Sequence, residues 1–416
     1  MISSINQRDE TMHLDTARIG RLRPASLEAL QSFGRLLAIH GCIPKFSSVL
    51  CEGFAALPRQ LRDEFPDLSF WKGLEAFQES VSLIAIGKPS ALVIFSAQST
   101  ALMVLAAHVL ARGARRILCT DLEFPLLKQA IKKIQEQYGG SLEVLPIRQT
   151  IEAEGCDAGE LTQRIITAYL QRECQAIVLS QVTQEGVRMP CEEIIRQLRA
   201  FDASAFIMVD GAQGLELEAC SAVAEQSDLY FGVTHKWLEG PTLGVTVAAR
   251  ESSLGLVKST LKELVESYVI TDPYLRMIAY VSGLAGGQMY ETISLEQLIV
   301  SAVACQIAVA QSLEERTLRY QKFKEFIRDL EAMASKVGCR YRHRHPTLWS
   351  GIAVLDWPKA VAVNALELES LLEAAGVIVT GLSATSIRVS APTNEFSDRH
   401  WRALERVFDS VSTQSQ

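Results

Sequence analysis

From about residue 90 onward the chain repeats one unit: a short apolar run, a few small or polar residues, then a stretch of helix formers. Ala91-Leu92-Val93-Ile94-Phe95 is apolar throughout and reads as a buried strand. Ser96 to Thr100 follows, and Ala101 to Arg112 is rich in helix formers up to Gly113, a natural C-terminal stop. Arg116 to Cys119 is the next strand and Leu126 to Gln137 the next helix. Ala176 to Ser180 and Ala205 to Val209 are strands, with a helix over Glu192 to Phe201 between them. Asp228 to Val233 and Leu243 to Ala249 complete the series. Strands joined through helices require right-handed crossovers, and the result is a mostly parallel sheet covered by helices. This large α/β domain is placed at residues 40–290.

The remaining chain has a different rhythm. After Ser294 a helical stretch runs to about Lys336, followed by strand-like Gly351 to Leu355. A helix over Ala365 to Ala375, strands at Val377 to Val379 and Ser386 to Val389, and a closing helix from Ser397 to Ser410 make a smaller α+β domain, residues 291–416. Residues 1–39 are read as an N-terminal segment packing on that small domain. A length of 416 residues suits such a division. The net charge of −7 argues against nucleic acid or an anionic membrane as partner, since phosphate binding needs a basic surface. Met1 to Arg21 has no apolar signal core, and no run of 18 apolar residues occurs. The nine cysteines include no C-x-x-C pair and sit mostly among apolar neighbours, which fits reduced thiols. A soluble, cytoplasmic protein is expected.

Four segments carry chemistry. In Ile207-Met208-Val209-Asp210-Gly211-Ala212-Gln213 an apolar strand ends in an acid. In open α/β sheets ligands collect beyond the carboxyl ends of strands, so Asp210 faces a ligand crevice or, more plainly, caps the next turn. Lys236 follows Asp210 by 26 residues, directly after another strand, in Thr234-His235-Lys236-Trp237. A lysine in an apolar, partly closed site can lose its proton and form an imine; a surface lysine is the plain alternative. Ser96 to Thr100 is a strand-to-helix junction of small residues, suited to an anion at the helix N-terminus and equally to an ordinary cap. It lacks the Gly-Lys of a nucleotide-binding loop. Arg388, in Ser386-Ile387-Arg388-Val389-Ser390, lies within a strand, where it serves either a planar anion or an interdomain ion pair.

Together, Val209-Asp210-Gly211-Ala212-Gln213 and His235-Lys236-Trp237-Leu238-Glu239-Gly240-Pro241-Thr242 resemble the class V aminotransferase family of fold-type I pyridoxal 5′-phosphate (PLP) enzymes. The His-Lys-Trp-Leu form is similar to the isopenicillin-N-epimerase-like and cysteine-desulfurase-like branch. The resemblance runs from Leu14-Asp15-Thr16-Ala17 to Arg388 and implies an aspartate-aminotransferase-like fold with a seven-stranded-type sheet. It implies PLP as cofactor, Lys236 as its Schiff-base residue and Asp210 as partner of its ring nitrogen. By the same resemblance Ser99 and Thr100 hold the phosphate with help from His235 and Thr234, and Phe124 stacks on the ring. Gln213 and Gln181 reach the phenolic oxygen, Thr292 contacts a neighbouring subunit's phosphate, and Arg388 clamps a substrate α-carboxylate. Two positions depart from the family pattern. Val233 replaces a phosphate-binding serine, and Glu291 replaces the glycine before Thr292.

The implied activity transforms an amino acid, or a metabolite derived from one, at Cα through an external aldimine and quinonoid. Transamination and epimerisation or elimination, including C–S or other β-lyase chemistry, stay open, and the setting suggested is specialised biosynthesis. Desulfurases carry a cysteine on the loop before the arginine; Val379 to Arg388 has none. The alternative from another class is a non-catalytic regulator or structural subunit of the same fold. A homodimer is expected, with no metal. His343-x-His345 would put two imidazoles on one strand face, with no acid or cysteine cluster beside them. The apolar stripe Ile299, Ala302, Ile307 and Ala310 reads as core or dimer packing.

Overall fold

The computed structural model of the chain describes residues 11–89, 92–218, 221–286, 293–343 and 345–413. Its centre is a seven-stranded sheet. In chain order the strands are β2 (Leu92–Ser96), β3 (Arg116–Thr120), β4 (Ser141–Leu145), β5 (Ala176–Ser180), β6 (Phe206–Asp210), β7 (Leu229–Val233) and β8 (Gly244–Ala248). Across the sheet they lie in the order β2-β8-β7-β6-β5-β3-β4, following the short β1 (Met12–His13) outside it. Only β8 runs antiparallel to its neighbours. Strands β5, β6, β7 and β8 are buried along their whole length, as continuous apolar runs in a helix-covered sheet must be. β4, which the sequence pattern does not announce, is a half-exposed edge strand, and its Val144 points to solvent.

This topology brings the carboxyl ends of β2, β3, β5, β6 and β7 to one edge. Ser180 at the end of β5 pairs with Asp210 at the end of β6, and Asp210 with Phe231 on β7. The helix Ser99–Gly113 starts just beyond β2, at the same edge.

A second core holds the C-terminal part. Its antiparallel sheet has the order β12-β13-β10-β9, from β9 (Arg340–Tyr341), β10 (Ile352–Asp356), β12 (Thr380–Ser383) and β13 (Ser386–Ser390). β11 (Val377–Ile378) pairs in parallel with β1, and Met12, Leu14 and Ala17 pack into this core. Phe33 and Leu36 of the helix Pro24–His40, and Leu295, Leu298 and Ile299 of the helix Leu295–Ala310, all pack into the large core. Of the proposed stripe, Ile299 and Ala302 are buried while Ala310 is exposed.

The single helical stretch expected after Ser294 is two helices, Leu295–Ala310 and Leu313–Lys336, bent by 100°. Ser312 closes a capping box with Glu315, which stops one helix and starts the other. Among the described residues no single helix is long and apolar enough to cross a membrane.

Candidate active site

Asp210 ends β6 and is nearly buried. Its Oδ1 accepts the Ala212 amide at 2.8 Å. The turn needs glycine at 211, because a Cβ there would lie 2.1 Å from the Tyr230 ring. Burial pushes the Asp210 carboxyl above the ordinary carboxylate range, opposed by the Ala212 N–H and the Lys236 charge.

Lys236 stands three residues beyond β7, in a turn closed by Glu239 N–H donating to the Lys236 carbonyl and Gly240 N–H to that of Thr234. Removal from bulk water pushes its ammonium down to about 8; nearby Arg388 adds to this and Asp210 resists it. The neighbouring His235 is pushed down to about 4, first by burial and then by the Lys236 charge, and is neutral. Its Nδ1 is buried with no partner among the described residues.

These side chains face one cavity of about 280 Å³ at the sheet edge. Ser99, Phe124, Asp210, Gln213, His235, Lys236 and Arg388 all line it, so seven of the expected site residues converge. Ser99 is the first residue of its helix, and Phe124 precedes the helix Pro125–Gln137 as its cap. Gln213 is fixed from both sides: its Nε2 donates to Ala17 O at 2.8 Å and its Oε1 accepts from Trp237 Nε1 at 3.4 Å.

Arg388 lies mid-strand in β13, paired with Val354 and Thr380, and is 8% exposed. Nη2 donates to Thr380 Oγ1 at 3.0 Å and to Asp15 Oδ1 at 3.4 Å, and Nη1 to the Gln184 carbonyl at 3.4 Å. Arg388 thus lines the cavity and also forms an ion pair with Asp15 of the N-terminal segment.

Three expected positions lie outside the cavity lining. Gln181 does not line the cavity: its Oε1 accepts from Tyr230 OH at 2.9 Å and sits against Gly214. The chain turns at Thr183 to Gly186, and this presents Gln184 to the cavity instead. Thr234 is fully buried and spends its hydroxyl on the carbonyls of Pro241 and Leu243, bracing the lysine turn. Thr100, one residue into its helix, is exposed and outside the cavity lining. Thr292 lies outside the described residues.

Sequence reasoning missed Asp15, Arg18, Gln184 and Glu123. The buried Glu123 accepts Thr120 Oγ1–H at 3.0 Å and Ser180 Oγ–H. Burial pushes it up to about 7, with the Asp210 charge adding, against those hydroxyls. Thr120 and Ser180 both end strands, and that shared position was the available signal.

His343 and His345 do not share a strand face. His343 is buried with Nε2 at 2.8 Å from Glu185 O, while His345 caps the short turn Pro346–Leu348. A larger groove of about 560 Å³ on the small domain is lined by Arg319, Phe326 and Trp401, and its Lys322, Glu325 and Asp329 are all exposed to solvent. The chemistry favours the smaller cavity. An amine inclined to be neutral, a carboxylate beside it, an aromatic wall and a helix N-terminus together suit a flat, anionic aromatic aldehyde.

Residues 67–261 match the sequence model of the family described as Aminotransferase class-V. No curated protein sequence matches the chain. Among solved structures it is similar to the cystine C-S lyase C-DES in complex with cysteine persulfide, with a TM-score of 0.69 at 15% identity over 97% of this chain and 99% of that one. It is also similar to the cysteine desulfurase CsdA of Escherichia coli (TM-score 0.67, 16% identity, 98% and 96% covered). A third is ureidoglycine-glyoxylate aminotransferase of Bacillus subtilis (0.64, 14%, 97% and 93%). At these identities the likeness establishes the aspartate-aminotransferase-like fold.

Proposed function

We propose that this chain, whose segment 67–261 belongs to the aminotransferase class-V family of PLP-dependent enzymes, moves a proton at Cα of an amino acid, with Lys236 as the only proton carrier. The observation that carries the reading is a desolvated Lys236 near buried Asp210 in a cavity that Phe124 also lines. The donor set fits the cofactor. Lys236 would attach its aldehyde, Asp210 would face its ring nitrogen, and Phe124 would cover its ring. The helix start at Ser99 and the unpartnered His235 Nδ1 would meet its phosphate. When bound, PLP supplies the electron sink for charge developing at Cα.

The protein's own groups do the rest. Asp210, whose charge the Ala212 amide and the nearby Lys236 favour against the cost of burial, would make positive charge on the ring nitrogen favourable. Lys236 would take and return the proton at Cα. Arg388 orients the substrate carboxylate, which selects the bond presented for cleavage. Phe124 can neither give nor accept a proton, and this favours one-base chemistry, transamination or β-elimination, over two-base epimerisation. We further propose a homodimer, the commonest closed assembly, working in the cytoplasm, where the exposed thiols of Cys42 and Cys51 stay reduced.

The test is a panel of L- and D-amino acids with the holoenzyme in deuterated water. Exchange at Cα with a keto-acid product identifies a transaminase, and release of ammonia with a β-substituent identifies a lyase. Lys236→Ala should exchange nothing. Exchange that survives this substitution refutes the assignment.

A further inference from the structure

We propose that Arg18 is a second anion subsite, so that the preferred substrate is an amino acid with an acidic group on a short side chain. The inference rests on the proposed function above and extends it to a substrate class.

Arg18 and Arg388 line the same cavity at different depths. The Arg388 side chain is 9% exposed and the Arg18 side chain 59%, so one guanidinium sits at the floor and the other at the mouth. Both approach a single carboxylate. Arg18 Nη1 lies 4.0 Å from Asp15 Oδ2, and Arg388 Nη2 lies 3.4 Å from Asp15 Oδ1. Two cations on either side of one carboxylate are separated by no more than a small dianion can span.

The charges of this corner are unevenly matched. Asp15 engages Arg388 directly and is fixed by Thr380 Oγ1–H at 2.6 Å. Among the described residues Arg18 has two distant acids, Asp15 at 4.0 Å and Glu369 at 3.8 Å, and Glu369 also accepts the Gly381 amide at 2.8 Å. The two arginines lie close enough for Arg18 to disfavour the charge on Arg388. A monocarboxylate bound at Arg388 leaves that repulsion half-answered. A second anion at the mouth answers it and gains a charge-assisted hydrogen bond at the half-exposed Arg18. Met103, Phe124 and Val182 add apolar wall, and the cavity's amine, Lys236, is committed to the proposed chemistry at Cα.

The test uses holoenzyme and unreactive probes, so it does not depend on turnover. Calorimetry should show succinate and glutarate binding about twofold to fivefold more tightly than propionate and butyrate, the scale of one ion pair at a half-exposed site. Arg18→Gln should collapse that ratio toward one, and Arg18→Lys should restore part of it. Equal binding of mono- and dicarboxylates, or a ratio unchanged in Arg18→Gln, overturns the proposal. Absorbance titration with L-glutamate and L-alanine separates the two readings. If both amino acids perturb the cofactor spectrum without a dicarboxylate preference, only the Arg18 assignment falls. If neither does, the amino-acid reading falls, and the substrate class with it.

Discussion

Asp210→Asn is expected to move two observables in opposite directions. In the wild-type site Lys236 titrates at about 8 rather than the ordinary 10.5, with burial as the main cause and the Asp210 carboxylate as the main opposing influence. At pH 7 such a group is neutral in roughly one molecule in ten, against roughly one in three thousand for an unperturbed lysine. Only the neutral amine attacks an aldehyde, so the folded apo-protein is primed by about 300-fold in neutral fraction. Asparagine keeps the volume and burial of the aspartate but removes the charge that favours the ammonium form. The Lys236 midpoint should therefore fall below 8, by about one unit on the scale of an opposite charge in contact, and PLP capture at pH 7 should quicken about fivefold.

The loaded variant should do the reverse. Without the charge that keeps the ring nitrogen protonated, Cα exchange should lose about 2.7–4 kcal/mol of barrier lowering, comparable with removal of one preorganised donor, or about 10²–10³ in rate. Stopped-flow absorbance of PLP capture from pH 6 to 10, together with mass-spectrometric deuterium exchange, reads both. A midpoint that rises, or exchange within threefold of wild type, refutes the electrostatic coupling of the pair. Stability offers a sign check. Between about pH 8 and 10.5 the unfolded chain holds more protons on this lysine than the native one, so apo-protein stability should rise with pH across that interval.

Three further outcomes are expected. Arg388→Lys keeps a cation beside Asp15 but loses the planar fork, and exchange should fall about tenfold to hundredfold with little change in melting temperature; undiminished exchange would make Arg388 purely structural. Gly20→Ala places a Cβ 2.2 Å from the Lys236 carbonyl oxygen, so it should cost about 1–3 kcal/mol in chemical denaturation and slow PLP capture; wild-type behaviour in both would show that the lysine turn is not braced by this contact. Asp272→Ala removes the cap of the helix Pro273–Val281, which accepts the amides of Tyr274 and Leu275, and also releases the Ala97 amide beside the Ser99 helix start. A loss of about 2–3 kcal/mol and weaker PLP retention on dialysis are expected, whereas retention equal to wild type would rule out a role in holding that loop.

What was legible in the sequence was what the backbone decides locally. Central strands buried on both faces are uninterrupted apolar runs, so β5, β6 and β7 announce themselves, and with them the strand-end positions of Asp210 and the lysine turn. β4 was not legible, because an edge strand with one face in solvent carries the charge of Glu143 and has too few apolar residues for a clear period. The break at Ser312 was legible as Ser-x-x-Glu, but continuous helix formers on both sides masked it. Gln181 was the natural choice as the first polar residue past β5. A turn that depends on Gly186, at φ +87°, carries the chain on so that Gln184 faces the cavity. Nothing local announces Asp15 as the partner of Arg388, since 373 residues separate them and only the pairing of β1 with β11 brings them together.

That last contact explains why the cofactor is readable where the substrate is not. The groups suited to the cofactor, Ser99, Phe124, Asp210, His235 and Lys236, all fall inside the segment 67–261 that matches the family, on strand ends of one sheet. The groups that would meet the distal part of a substrate lie outside it. Asp15 and Arg18 come from the N-terminal run and Arg388 from the C-terminal sheet. That run is stitched to both sides of the cavity. Leu14 N–H donates to Ile378 O and Ala17 N–H to Ser390 Oγ, on the small-domain side. Gln213 Nε2 donates to Ala17 O, and Gly20 N–H donates to His235 O next to the lysine. Substitutions in these ten or so residues can therefore change which anion is welcomed at the cavity mouth while leaving the acid–lysine pair untouched. Reaction chemistry and substrate choice are written on separate stretches of chain, and only the first is shared widely enough to be recognised from the fold.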